Sequence, residues 1–240
     1  MLLVLDSITE RLWRNKGVDN LRTQAWVLHV QRMLGADILV HKDYPQIDKS
    51  LSTDQREKLL RRTIINAEAA IKLSERLGLD VMLVVQGWDL DSYVRCAEAY
   101  RDLGAKYVAI GSLAPRSRYG ELVLSITKAI REVVGAGVHL HLLGVSSPAV
   151  IHRLRNYVDS LDISTPMRAA VARELIVWTG QGSPRRVKLS FFTTMELEEL
   201  AASLGVQRLL KHLISSRTGG EFVRLLAVLN AYVLLRWLKG

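Results

Sequence analysis

Short apolar runs alternate with longer segments of helical period along most of the chain. The runs are Leu2 to Leu5, Asp37 to His41, Asp80 to Val85, Tyr107 to Ile110, His139 to Val145 and Ser160 to Ile163, with Leu175 to Trp178 and Val187 to Phe191 as weaker versions. Continuous apolar character implies burial on both faces, the situation of strands in a parallel sheet. Between the runs, Asn20 to Leu34, Ser52 to Leu77, Asp89 to Leu103, Gly120 to Val134 and Pro148 to Tyr157 read as helices that bury one stripe. Ser146-Ser147-Pro148 supplies a serine cap before a first-turn proline. Successive βα repeats with no linker predict an α/β chain and favour a (β/α)8 TIM-like barrel over an open doubly wound sheet.

From about Glu196 the rhythm becomes helical, and Gly219-Gly220 separates two apolar helical segments. The expected organisation is a barrel domain over 1–195 and a helical C-terminal extension over 196–240 packed on it. Gly182-Ser183-Pro184 is a turn expected to join the two weak strands as a hairpin. Phe222 to Leu238 is the most apolar stretch, but Arg224, Asn230 and Arg236 interrupt it. It is therefore expected to pack against the barrel or into a homodimer interface rather than cross a membrane.

The chain of 240 residues and 27.0 kDa is long enough for one well-buried core. Lys and Arg number 33 against 24 Asp and Glu, a net charge of +9, which suits a polyanionic partner and equally a well-solvated surface. Cys96 is the sole cysteine, so an internal disulfide and a cysteine-rich zinc cluster are excluded, and a reducing cytoplasm fits. The N-terminal apolar run meets Asp6, Glu10 and Arg11 at once, too short for a signal peptide. His29, His152 and His212 sit on helical segments without a partner pattern, which points to capping, core or surface roles.

Chemistry in an α/β barrel collects at the carboxyl ends of the strands. The polar residues there are Asp6-Ser7, Asp43, Gln86-Gly87, Gly111-Ser112, Gly144 and Asp162. Carboxylates on separate strands converge on one mouth and suit cleavage and re-formation of a glycosidic bond, one attacking the anomeric carbon and another moving protons on the departing base. Gln86 and the backbone N–H groups of Gly111 and Ser112 suit a planar heterocycle. Taken singly, each of these residues is also a common cap at a strand-to-helix turn.

Several segments make the pattern specific. They are Val84-Val85-Gln86-Gly87, Tyr107-Val108-Ala109-Ile110-Gly111-Ser112-Leu113-Ala114, Leu142-Leu143-Gly144-Val145-Ser146-Ser147-Pro148 and Asp159-Ser160-Leu161-Asp162-Ile163-Ser164-Thr165-Pro166-Met167-Arg168. In order and spacing they resemble the tRNA-guanine transglycosylase family. Gly35-Ala36-Asp37-Ile38-Leu39-Val40-His41-Lys42-Asp43 resembles the family's strand with a guanine-reading aspartate, and Leu225 to Asn230 its closing helix.

The resemblance implies Asp162 as nucleophile through a covalent ribosyl intermediate and Asp6 as general acid/base. It implies Asp43 at the N1 and N2 edge of guanine, with Gln86, Gly87, Gly111 and Ser112 on the O6 side and Ser7 and Gly144 lining the base site. It implies no redox cofactor. Arg168, Arg116, Arg118, Arg185 and Arg186 are candidates for phosphate contact, or else a solvated basic surface.

The chain departs from the family in three places. Ile8-Thr9-Glu10 stands where the family has glycines, an aromatic and Gln, leaving Tyr44 or Trp88 to stack on the base. The Cys-x-Cys-x-x-Cys…His zinc site is missing, and the chain starts at the strand ending in Asp6, so a first barrel strand is expected to be lacking. The expected reaction is exchange of guanine for a 7-deazaguanine base in tRNA. The same exchange in DNA, and a non-catalytic nucleobase- or nucleic-acid-binding homologue alone or with a partner subunit, stay open.

Overall fold

The computed structural model describes residues 4, 24–113, 119–145, 147–178, 181–216 and 219–239. Asp6, Ser7, Arg116 and Arg118 lie outside them. The chain divides into two compact units, Met1–Val145 with Arg153–Asp162 and Ser146–His152 with Ile163–Gly240.

The first unit holds a five-stranded parallel sheet: β1 (Ile38–Val40), β2 (Asp80–Val85), β3 (Tyr107–Ile110), β4 (His139–Leu142) and β5 (Ser160–Leu161). Strand order follows chain order, and every pairing is parallel. An open doubly wound sheet reverses its order midway, whereas barrel strands run on in sequence, so this is a partial TIM-like barrel. Val4 adds a parallel bridge to Ile38, in the run expected to be the N-terminal strand.

Helix α1 (Gln24–Met33) precedes β1, and α2 (Thr53–Leu77), α3 (Leu90–Asp102) and α4 (Gly120–Val134) connect β1 to β2, β2 to β3 and β3 to β4. Their ends follow local chemistry. Ser52 and Gln55 form a reciprocal cap at the start of α2, Asp89 and Ser92 do the same for α3, and Gly78 closes α2 in the left-handed conformation.

Period-2 alternation gives the sheet two buried faces. Ile38, Val40, Met82, Val84 and Ala109 form one apolar cluster, with Tyr107 and Leu143 packed on it. Leu39, Leu83, Val85, Val108, Ile110, Leu140 and Leu142 occupy the alternate positions and are fully buried. Polar side chains stitch the edges of this sheet. Gln31 of α1 bonds both backbone groups of Val40, accepting from its N–H at 2.8 Å and donating to its carbonyl at 3.0 Å.

The second unit includes α6 (Thr165–Val171), β6 (Glu174–Val177), β7 (Arg185–Lys188), a 3-10 turn (Leu189–Phe191), α7 (Thr194–Leu204), α8 (Gln207–Ser216) and α9 (Gly219–Lys239). The short α5 (Pro148–Leu154) crosses the boundary between the units. β6 and β7 pair antiparallel, as the Gly182-Ser183-Pro184 turn requires. β7 lies earlier than the apolar run Val187 to Phe191, because the strand is one-sided. Val187 alone is partly buried while Arg186 and Lys188 pair with Glu174 across the hairpin, and the apolar Leu189 to Phe191 coil into the 3-10 turn.

α9 buries Phe222, Leu226, Leu229, Val233 and Leu234 in the core of this unit. Asn230, fully buried among them, accepts from Ile176 N–H at 2.7 Å and donates to the carbonyls of Glu174 at 3.0 Å and Pro166 at 3.3 Å. One amide thus fastens α9 to β6 and to the start of α6. Val228, Tyr232 and Leu235 face outward at 55%, 43% and 55% exposure, so the helix is amphipathic rather than apolar all round. Among the described residues, no helix is long and apolar enough to cross a membrane.

Candidate active site at the strand ends

Three of the polar residues singled out at strand ends meet in one buried chain of hydrogen bonds. Gln86, just beyond β2, donates from Nε2 to Asp43 Oδ2 at 2.5 Å. Its Oε1 accepts the Ser112 hydroxyl at 2.5 Å, and Ser112 Oγ accepts the Gln46 N–H at 3.0 Å. Asp43 is 6% exposed and Gln86 2%. A carboxylate, an amide and a hydroxyl from the ends of β1, β2 and β3 are thereby fixed in orientation, since the amide cannot flip without breaking both of its short bonds.

Backbone shape makes this chain fit. Ser112 has φ +57°, an uncommon conformation for a residue with a side chain, and it turns Oγ toward Gln86. Gly111 lies against the Gln86 amide, and a Cβ there would come within 2.3 Å of Nε2. Gly87 lies against Tyr93, where a Cβ would come within 2.7 Å of the ring, and the Tyr93 hydroxyl donates to the Gly111 carbonyl at 2.8 Å.

Beneath this rim, His41 ends β1 with a side-chain version of the strand ladder. Its Nδ1 accepts the Val84 N–H at 3.1 Å, its Nε2 faces Tyr100 Oη at 3.2 Å, and Tyr100 donates to the Val84 carbonyl at 3.0 Å. Full burial drives the His41 pKa down from its usual 6.5 to about 3, so the ring is neutral and structural. Of the two aromatics considered for stacking, Tyr44 is buried with Lys42 Nζ 5.2 Å from its ring centre, and Trp88 is half-buried with the Arg95 guanidinium at 5.8 Å.

Asp162 follows β5, with its N–H bonded to the Leu142 carbonyl at 3.2 Å and its side chain 55% exposed. Oδ1 accepts the N–H of Gly144 at 2.7 Å. The predicted nucleophile and the predicted base-site glycine are therefore direct partners, and Gly144 reaches this position with φ +70°. His141 Nε2 lies 3.8 Å from the same oxygen.

Two histidines of β4 share the Ser160 hydroxyl next to this strand end, and the sequence reading passed over both. His139 Nε2 and His141 Nδ1 lie 2.7 Å and 2.8 Å from the Ser160 hydroxyl. Their signal was the polar-apolar alternation His139-Leu140-His141-Leu142, which departs from the continuous apolar character expected of this strand. At the opposite ends of β4 and β5, Arg131 of α4 braces the chain entering both strands, donating to the carbonyls of Tyr157, Gly135 and Val138 and to the Asp159 carboxylate at 2.6 Å.

In the second unit, Arg168 and Arg186 line a cleft of about 270 Å³ together with Pro148, Thr165, Ile176, Pro184 and Leu234. Arg186 also pairs with Glu174, and Arg185 is exposed on the same strand. His29 and His212 are exposed, and His152 packs against Trp237 with ring centres 5.1 Å apart and planes tilted by 37°. Among the described residues no group of three or more His, Cys, Asp or Glu is arranged to hold a metal ion, and Cys96 is buried.

The family model described as queuine tRNA-ribosyltransferase matches residues 10–237. The matched stretch takes in Asp43, Gln86, Ser112, Gly144 and Asp162 and begins beyond Asp6 and Ser7. No curated protein matches the chain. Spanning nearly its whole length, the match shows that this chain belongs to the queuine tRNA-ribosyltransferase family.

Proposed function

We propose that the chain exchanges guanine for a 7-deazaguanine base in tRNA through a covalent ribosyl-Asp162 intermediate. The family implies a pentosyltransferase that acts on nucleic acid and a guanine-type base. The observation that carries the finer reading is the Asp43–Gln86–Ser112 chain, a pre-set row of acceptor and donor groups at strand ends of the sheet that also presents Asp162.

In this reading guanine is flipped out of its stack and donates N1–H and N2–H to Asp43, with Gln86 and the Gly111-Ser112 backbone on its O6 side. Asp162 attacks C1′ of the ribose while the C1′–N9 bond breaks, and Asp6 gives a proton to the departing base. The incoming 7-deazaguanine loses its N9 proton to the same group, attacks C1′, and releases the Asp162 carboxylate with retained configuration. The strands of β1 to β5 belong to a (β/α)8 barrel, and Arg168, Arg185, Arg186, Arg116 and Arg118 bind phosphates.

Incubation with radiolabelled guanine tests this. Label entering tRNA supports the reading, and label entering duplex DNA alone replaces the polymer but keeps the chemistry. Label entering neither, with salt-sensitive binding retained, makes the chain a non-catalytic binder.

A further inference from the structure

We propose that His141 is a positioning residue for Asp162, held by a directional Ser160–His139 relay so that its Nε2–H faces the attacking carboxylate. The inference rests on the proposed role of Asp162 as nucleophile.

One proton decides the direction of the relay. Ser160 Oγ lies 2.7 Å from His139 Nε2 and 2.8 Å from His141 Nδ1, and its single hydroxyl proton can go to only one of them. If Ser160 donated to His139, His141 would carry its proton on Nδ1 and turn the bare lone pair of Nε2 toward Asp162 Oδ1, 3.8 Å away. A lone pair facing a carboxylate is repulsive. The opposite direction removes that repulsion: His139 Nε2–H donates to Ser160, Ser160 donates to His141 Nδ1, and His141 Nε2–H turns its positive end toward Asp162. Burial, with the nearby His139 adding to it and Asp162 opposing, holds His141 below its usual pKa, so the ring is neutral at neutral pH and has one tautomer to choose.

The relay has a consequence at the carboxylate. Gly144 N–H donates to Oδ1 at 2.7 Å, and His141 Nε2–H faces the same oxygen from 3.8 Å, an electrostatic approach rather than a hydrogen bond. Both favour one rotation of the carboxylate, with Oδ2 the oxygen that attacks C1′. When the second base arrives and the ester breaks, the electron pair returns to a carboxylate whose Oδ1 is already bonded by the Gly144 N–H and faced by the His141 N–H.

Two readouts test the relay. Nitrogen NMR of the imidazoles in the unliganded chain reads the tautomer directly. We expect His141 protonated on Nε2, with Ser160→Ala mixing the two forms and Ser160→Thr restoring one. The second readout is the single-turnover rate of covalent adduct formation with tRNA. His141→Phe, which keeps the ring shape without a donor, should slow it at least about tenfold while tRNA affinity stays unchanged. His141→Gln, which restores an N–H donor, should regain most of the rate. A wild-type His141 protonated on Nδ1, or an adduct rate unchanged in His141→Phe, overturns the proposal. A wild-type chain that has the expected tautomer but forms no adduct overturns the reaction itself and the role in it, and the substrate-free NMR result separates that failure from failure of the relay.

Discussion

At Gly111 the backbone comes so near the Gln86 amide that a Cβ would lie 2.3 Å from Nε2 and 2.9 Å from Val84 Cγ1. Gly111→Ala is therefore expected to push the amide out of its bonds to Asp43 and Ser112 and to cost about 2 kcal/mol, read from urea unfolding, with a loss of guanine binding. A stability within error of wild type would show that the amide moves freely. His41 makes a second prediction, with a defined sign. Its folded pKa of about 3 lies below the usual 6.5, so the unfolded chain takes up the proton first. The stability that a neutral His41 contributes is complete above about pH 6.5 and is lost as pH falls toward its folded value. Between pH 7 and 4.5 the chain should lose roughly 3 kcal/mol through this group, and His41→Asn, which cannot titrate, should flatten that slope. An unchanged slope in the variant would assign the loss to other groups. Asp43, Gln86, Ser112 and Asp162 were legible in the sequence because each follows an apolar run, where a parallel sheet presents its strand ends. His41 and His141 were not, because their partners Tyr100 and Asp162 lie 59 and 21 positions away and only the fold brings them together.

Among the elements, those with strong punctuation were read nearly to the residue. α2 and α3 carry capping boxes at Ser52 and Asp89, and β2 and β3 are continuous apolar runs, so local chemistry and burial agree. β4 and β5 were read too long, because chain leaves a strand wherever side chains replace ladder bonds, and an apolar pattern does not register that. The β4–β5 corner depends on Arg131, only 16% exposed and bonded to three carbonyls and Asp159. Arg131→Met should cost about 3 kcal/mol in urea unfolding. The Asp159 carboxyl is held below its ordinary value, since burial, which opposes this, is outweighed by the Leu140 N–H and Arg131. Its contribution is present above about pH 4 and vanishes as pH falls through the lowered value. The variant should accordingly begin acid unfolding at higher pH than wild type, and coincident acid transitions would contradict the brace.

For the molecule as a whole, the +9 charge makes salt the natural probe of polymer binding. If Arg168 and Arg186 contact phosphates, replacing either with Gln should lower the slope of log affinity for tRNA against log salt by about 1, and an unchanged slope would remove that arginine from the interface. The α/β class was legible because successive parallel strands leave a repeating βα rhythm, and the five strands in chain order make it a partial TIM-like barrel. The second unit was read only as a helical rhythm with a hairpin before it, since Asn230 joins segments more than 50 residues apart and no local pattern announces such a contact. Covalent attack by Asp162 is read most directly by mass spectrometry of the protein trapped with tRNA under denaturing conditions and digested. A ribosyl ester is expected on the peptide that carries Asp162, absent in Asp162→Asn. An adduct on another residue, or one that survives in Asp162→Asn, would contradict it.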